Sequence, residues 1–241
     1  MNLVLFDVDG TLTQTVGVDE DCFARAFADA FGLGGVDCRC GLYEHCTDSW
    51  ICREVLRRAW SRLPTEAEIE CHRRRFLDLL AEAHGEDPRR YAAMPGAARL
   101  LAALRADPAW KVALATGCWR ASAVFKLDAA GLEAAELPLA AADDAFSREE
   151  ILAAAVARAA ACYGQPAFAR IVAVGDGAWD VMAARRLGLP FVGVATGERA
   201  ERLHHAGAGL VLRDFSDLEL TLCGLLGALP PVAEESHASS R

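Results

Sequence analysis

The chain has 241 residues, 53% of them hydrophobic, which is enough for one sizeable core or a core with a smaller appended unit. Its net charge of −9 works against extended contact with a nucleic-acid backbone and points to a small molecule as partner. The first apolar run is too short for a signal-peptide core, and Arg158 interrupts the longest Ala-rich segment before it reaches the roughly eighteen residues that a membrane span needs. A cytoplasmic protein without membrane association is expected, and its nine cysteines are read as reduced thiols.

In chain order, residues 3–6 form a short apolar run that Asp7 and Asp9 end abruptly, the pattern of a buried parallel strand. Residues 15–91 lack strand signals. Phe23, Phe27 and Phe31, then Ile51, Val55 and Leu56, recur at helical spacing, with a break at residues 32–35 and a cap at Thr47 and Asp48. From residue 96 onward, helix patterns over 96–106, 119–130, 147–162 and 179–187 alternate with apolar runs at 112–115, 171–174 and 191–195. Short additional strands are expected at 137–140 and 210–213. This alternation predicts an α/β protein with a doubly wound, parallel, Rossmann-like sheet and an inserted α-helical domain. The expected division is a core of 1–14 and 92–228, an insertion of 15–91 and a flexible tail of 229–241. In such sheets ligands bind beyond the carboxyl ends of the strands, where the polar clusters 7–11, 116–117 and 175–180 fall.

The strongest chemical signal is Phe6-Asp7-Val8-Asp9-Gly10-Thr11-Leu12-Thr13. Two carboxylates at i and i+2 after a strand can serve one site only if the backbone turns at once, which Gly10 permits. Their mutual repulsion is relieved by a hard cation such as Mg²⁺, which also orients an anionic substrate. A simple Asx turn would account for one Asp and not for the whole string.

This string resembles the first motif of the haloacid dehalogenase-like superfamily, DxDGT after an apolar strand, and the other motifs of that family follow in order along nearly the whole chain. The resemblance implies that Asp7 is a nucleophile that forms an aspartyl phosphate and that Asp9 is a general acid and base. Ala113-Leu114-Ala115-Thr116-Gly117 resembles the second motif, in which Thr116 and the Gly117 amide hold a phosphate oxygen, with Gly10 and Thr11 also at the phosphate. Val174-Gly175-Asp176-Gly177-Ala178-Trp179-Asp180 resembles the fourth, giving a Mg²⁺ site of Asp7, Asp9, Asp176 and Asp180. Taken alone, Asp176 and Asp180 read equally as capping acids at a helix start.

The third motif usually carries a Lys before the fourth. Here Arg148 is expected to serve, fixed in a first helical turn by a capping box of Ser147 and Glu150. Lys126 is the rival cation, and its place on the helix after Thr116 should carry it about 10 Å away. The insertion resembles the class I cap of the family, with His45, Thr47, Asp48 and Trp50 as candidates to read the leaving group. Cys38, Cys40, Cys46 and Cys52 with His45 contain no CxxC pair, so scattered thiols are preferred to a zinc site.

The function expected is a Mg²⁺-dependent phosphatase acting on a small phosphorylated metabolite, of the kind that phosphoglycolate-phosphatase-like members hydrolyse. A phosphosugar mutase, and a phosphometabolite-binding protein without turnover, are the alternatives.

Overall fold

The computed structural model describes residues 1–232. Strands β1 (Asn2–Phe6), β2 (Trp110–Ala115), β3 (Leu139–Ala140), β4 (Arg170–Gly175), β5 (Phe191–Val194) and β6 (Val211–Leu212) form one parallel sheet in the order β3-β2-β1-β4-β5-β6. The four apolar runs and both short strands expected from the sequence are present. The oldest of these in chain order, β1, lies in the middle: Phe6 is in register with Leu114 of β2 on one side and Val174 of β4 on the other. The three strands therefore end together, and the residues that follow them leave the sheet at one rim.

Alternation along the strands decides what each face buries. Val4 and Phe6 point into one layer with Leu100, Leu101 and Leu104 of α4 (Ala97–Ala106) and Leu127 of α5 (Arg120–Ala129). Phe215 meets Phe6 edge-on there, and Leu225 of α9 (Leu218–Gly227) completes the layer. Leu3 and Leu5 point the other way, onto α6 (Arg148–Tyr163), α7 (Ala178–Arg186) and α8 (Gly197–His205). Helices thus cover both faces, as the near-continuous apolar strands require.

Between β1 and α4 the chain forms α1 (Val16–Phe31), α2 (Asp48–Trp60) and α3 (Glu66–Glu86). Gly32 ends α1 with φ of 70°, and Thr65 and Glu68 close a capping box at the start of α3. These helices share a third apolar cluster built on Phe23, Phe27, Leu56, Phe76 and Leu80, into which Trp119 reaches from the sheet side. His72 is buried against Phe23 and Phe27, and this burial pushes its pKa down to about 3.

Three expectations need correction. Thr47 precedes α2 without a side-chain cap, because its hydroxyl donates to the Phe146 carbonyl at 2.8 Å instead. Cys40 and Cys46 are joined in a disulfide, their Cα atoms 4.9 Å apart, so the reading of all cysteines as reduced thiols fails for this pair. Leu229 and Val232 are hydrogen-bonded to Phe191 and Gly207, so the expected tail does not begin at 229, and 233–241 lies outside the described residues. No helix among the described residues is long and apolar enough to cross a membrane.

Candidate active site

The loop leaving β1 is folded back on itself: Thr11, Leu12 and Thr13 all donate their backbone N–H to the Val8 carbonyl. Gly10 makes this possible with φ of 72°, and a Cβ there would lie 2.1 Å from an Asp176 carboxylate oxygen. The first loop and the loop after β4 are therefore pressed together. This brings Asp7, Asp176 and Asp180, all buried, to within 4.8 Å of one another by one carboxylate oxygen each. Asp180 also accepts from the Gly177 N–H at 3.1 Å, which seats it at the start of α7.

Two guanidinium groups serve this trio. The capping box of Ser147 and Glu150 forms as expected and sets Arg148 in the first turn of α6 at the sheet rim. Its Nη1 lies 3.1 Å from Asp7 Oδ1 and 3.6 Å from Asp180 Oδ1, while its Nε donates to the Cys46 carbonyl. Arg199 of α8 pairs with Asp176. Burial pushes Asp180 up to about 7, with Arg148 opposing the shift and Asp7 adding to it. Burial and the charge of Asp7 raise Asp176 well above the usual carboxylate range, against the pull of Arg199. Three convergent carboxylates, each a hard oxygen donor and two of them reluctant to ionise without a cation, suit a divalent metal.

The carboxylate of Asp9 is not part of this group, which corrects the expected set of four. It belongs to a second cluster with Asp19 and Cys118. Its Oδ1 accepts from the Thr15 hydroxyl at 2.5 Å, and its Oδ2 from the Cys118 thiol at 2.8 Å and from Lys126 Nζ at 2.6 Å. Lys126 is wholly buried and also reaches Asp19 of α1. The expected separation of about 10 Å counts helix rise alone. It omits the long side chain, which runs from the buried stripe of Ser122, Ala123, Lys126 and Leu127 back towards the first loop. Burial works to raise the pKa of Asp9, but the ammonium and the hydrogen bonds outweigh it and hold the carboxyl below its usual range. Asp19, which shares the same ammonium, is pushed by burial up to about 7.

At the end of β2, Thr116 is buried and its hydroxyl accepts from the Cys118 N–H at 3.2 Å. Gly117 lies where three elements meet. Its carbonyl accepts from the Asp48 N–H, and a Cβ on it would stand 2.6 Å from the Cys46 carbonyl and 2.7 Å from the Arg148 guanidinium. The start of α2 is thereby bonded to the rim, with Trp119 N–H on Asp48, the Trp119 indole on Ser49, and Ser49 on the Ala142 carbonyl. The Thr11 hydroxyl is buried without a partner.

A cavity of about 700 Å³ opens beside both clusters and is lined by Asp7, Asp9, Arg148, Asp176 and Arg199 together with Phe23 of the insertion. Of the four insertion residues expected to read the leaving group, Thr47 and Asp48 line it. His45 and Trp50 pack against each other, ring centroids 4.7 Å apart, and Trp50 packs on Phe146. Sequence reasoning missed Arg199 and Asp19 as members of the site. Lys126 could have been placed, since it shares a helical face with Ala123 and Leu127.

The model of a family described as haloacid dehalogenase-like hydrolase matches residues 1–188. No curated protein matches the sequence. Among solved structures, a hydrolase from Pseudomonas syringae is similar with a TM-score of 0.69 and 24% identity, over 92% of this chain and 97% of its own. CbbY from Rhodobacter sphaeroides, in complex with phosphate, gives 0.60 and 25%, over 92% and 98%. A β-phosphoglucomutase from Clostridium difficile gives 0.63 and 16%, over 93% and 96%.

Proposed function

Because the chain belongs to the haloacid dehalogenase-like hydrolase family, we propose that it is a Mg²⁺-dependent phosphatase that hydrolyses a small phosphomonoester through an aspartyl phosphate on Asp7. The observation that carries this reading is the convergence of Asp7, Asp176 and Asp180 with Arg148 beside a cavity of metabolite size. Residues 15–91 act as the cap over a core of 1–14 and 92–228.

An oxygen of Asp7 attacks phosphorus as the bond to the leaving oxygen breaks, and Asp9, whose pKa Lys126 holds down in the free protein, must take up a proton before this step in order to give it to that oxygen. Water then attacks the same phosphorus, Asp9 takes the proton, and the bond to Asp7 breaks to release phosphate. Arg148 neutralises Asp7 and the transferring group, while Thr116, the Gly117 amide, Gly10 and Thr11 receive phosphate oxygens. The unpartnered Thr11 hydroxyl is available for such a contact. Asp7, Asp176 and Asp180 would hold Mg²⁺, which supplies charge neutralisation for the phosphoryl oxygens. The phosphate bound by CbbY supports the substrate class.

The likeness to a β-phosphoglucomutase favours a second reading, in which the phosphoryl group moves to a second sugar hydroxyl instead of to water. Assay of inorganic phosphate release from a panel of phosphorylated metabolites, with Mg²⁺ and with chelator, separates the two. Release that requires Mg²⁺ and falls on the order of 10⁴-fold in Asp7→Asn is the expected result. An Asp7→Asn enzyme with normal turnover would overturn the proposal.

A further inference from the structure

Lys126 is one of only two lysines in the chain, and it is fully buried with every hydrogen of its ammonium engaged. Nζ donates to Asp9 Oδ2 at 2.6 Å, to Asp19 Oδ1, and to Cys118 Sγ at 3.3 Å. Nothing in this arrangement leaves it free to meet a phosphate. A buried ammonium is retained against its desolvation cost only where fixed anions hold it, and here the two anions come from different parts of the molecule. Asp9 sits on the loop after β1, and Asp19 on the first turn of α1 in the insertion. Asp9 itself borders the cavity, with 13% of its side chain exposed. Its Oδ2 is the oxygen that Lys126 and Cys118 hold, and Thr15 holds the other.

We infer that Lys126 is a positioning residue that fixes the Asp9 carboxyl at the cavity wall and anchors it to Asp19 of the insertion, so that proton transfer to the leaving oxygen depends on this pair. The inference rests on the role proposed above for Asp9. Delivery of a proton matters when the leaving group is an alkoxide, which cannot depart unprotonated, and matters little when it is a nitrophenolate. Loss of Lys126 should therefore harm the two substrate types unequally, whereas general loosening of the structure would harm both alike.

The test measures kcat/KM for glycerol 2-phosphate and for 4-nitrophenyl phosphate with the full chain and Mg²⁺. This parameter reports steps up to the first irreversible one, so hydrolysis of the phosphoenzyme does not enter. In Lys126→Met the alkyl ester is expected to lose about 100-fold and the nitrophenyl ester no more than about threefold. Since the Met variant leaves two carboxylates without their cation and can fail to fold, Asp19→Asn provides the same comparison with the ammonium in place, with about tenfold expected for the alkyl ester alone. Equal losses on both substrates, or no loss in either folded variant, would overturn the inference while inactivity of Asp7→Asn upheld the parent reading. Normal turnover by Asp7→Asn would remove the parent reading and this inference with it.

Discussion

Two acidic clusters stand side by side at the same sheet rim, and they differ in what neutralises them. The trio of Asp7, Asp176 and Asp180 meets only arginines that reach it from the side, Arg148 on α6 and Arg199 on α8, the latter with 41% of its side chain exposed. The cluster of Asp9, Asp19 and Cys118 encloses its own ammonium, of which nothing is exposed. Three carboxylates in the first and two carboxylates with a thiol in the second therefore have different requirements. The first has no cation enclosed at its centre, whereas the second already contains one; burial raises Asp176 and Asp180 in the first and Asp19 in the second alike.

The sharpest way to break this contrast is to remove one carboxylate from each. Asp176→Asn is expected to weaken Mg²⁺ binding, followed by calorimetry, by about 100-fold or more, since even groups that merely orient a ligand are worth 10 to 100-fold. Asp19→Asn should leave that affinity within about twofold, and comparable losses in both would show that the clusters are one site.

Protons provide a second contrast. A cation displaces the proton from Asp180, whose pKa is raised to about 7, so Mg²⁺ affinity should fall as pH drops through that value, by about tenfold per unit for this carboxyl and more steeply where Asp176, also raised, takes a proton too. The sign follows from the raised carboxyl: the metal-free form binds the extra proton, and acid favours that form. An affinity flat from pH 8 to pH 5.5 would contradict the trio as the binding group.

Gly10→Ala sharpens the comparison in structural terms. The substitution forces a side chain into φ of 72° and against Asp176, so thermal unfolding should show a loss of about 2 kcal/mol. It should also disturb the trio more than the enclosed cluster. The smallest effect belongs to Cys118→Ala, which deletes the thiol's hydrogen bond to Asp9 and the one it accepts from Lys126 and should cost about 1 kcal/mol in denaturant unfolding. Cys118→Ser, which retains a donor, should recover part of it.

The two clusters were also unequally legible in the sequence. Asp7, Asp176, Asp180 and the strands that carry them follow short local patterns, and the parallel sheet turns that local information into proximity because β1 has both motif strands as neighbours. Arg148 was readable for the same reason, since its capping box is a pattern of four consecutive residues. The second cluster joins residues 9, 19, 118 and 126 through side-chain directions, and spacing along the chain says nothing about where a flexible lysine turns. The Asp9 carboxylate accordingly stands in a neighbouring cluster and not with the three it was expected to join. Arg199 and the Cys40 and Cys46 disulfide depend on how α8 and the loop before α2 pack on the rim, which no periodicity encodes.

The central position of β1 has a consequence for how the protein comes into being. Its first strand must wait for a partner, β4, that is synthesised more than half a chain later, and Asp176 and Asp180 arrive with that strand. A nascent polypeptide still lacking β4 would hold Asp7 and Asp9 without Asp176 and Asp180, the acids proposed to gather a metal beside Asp7. Completion of the sheet and assembly of the carboxylate trio are then one event.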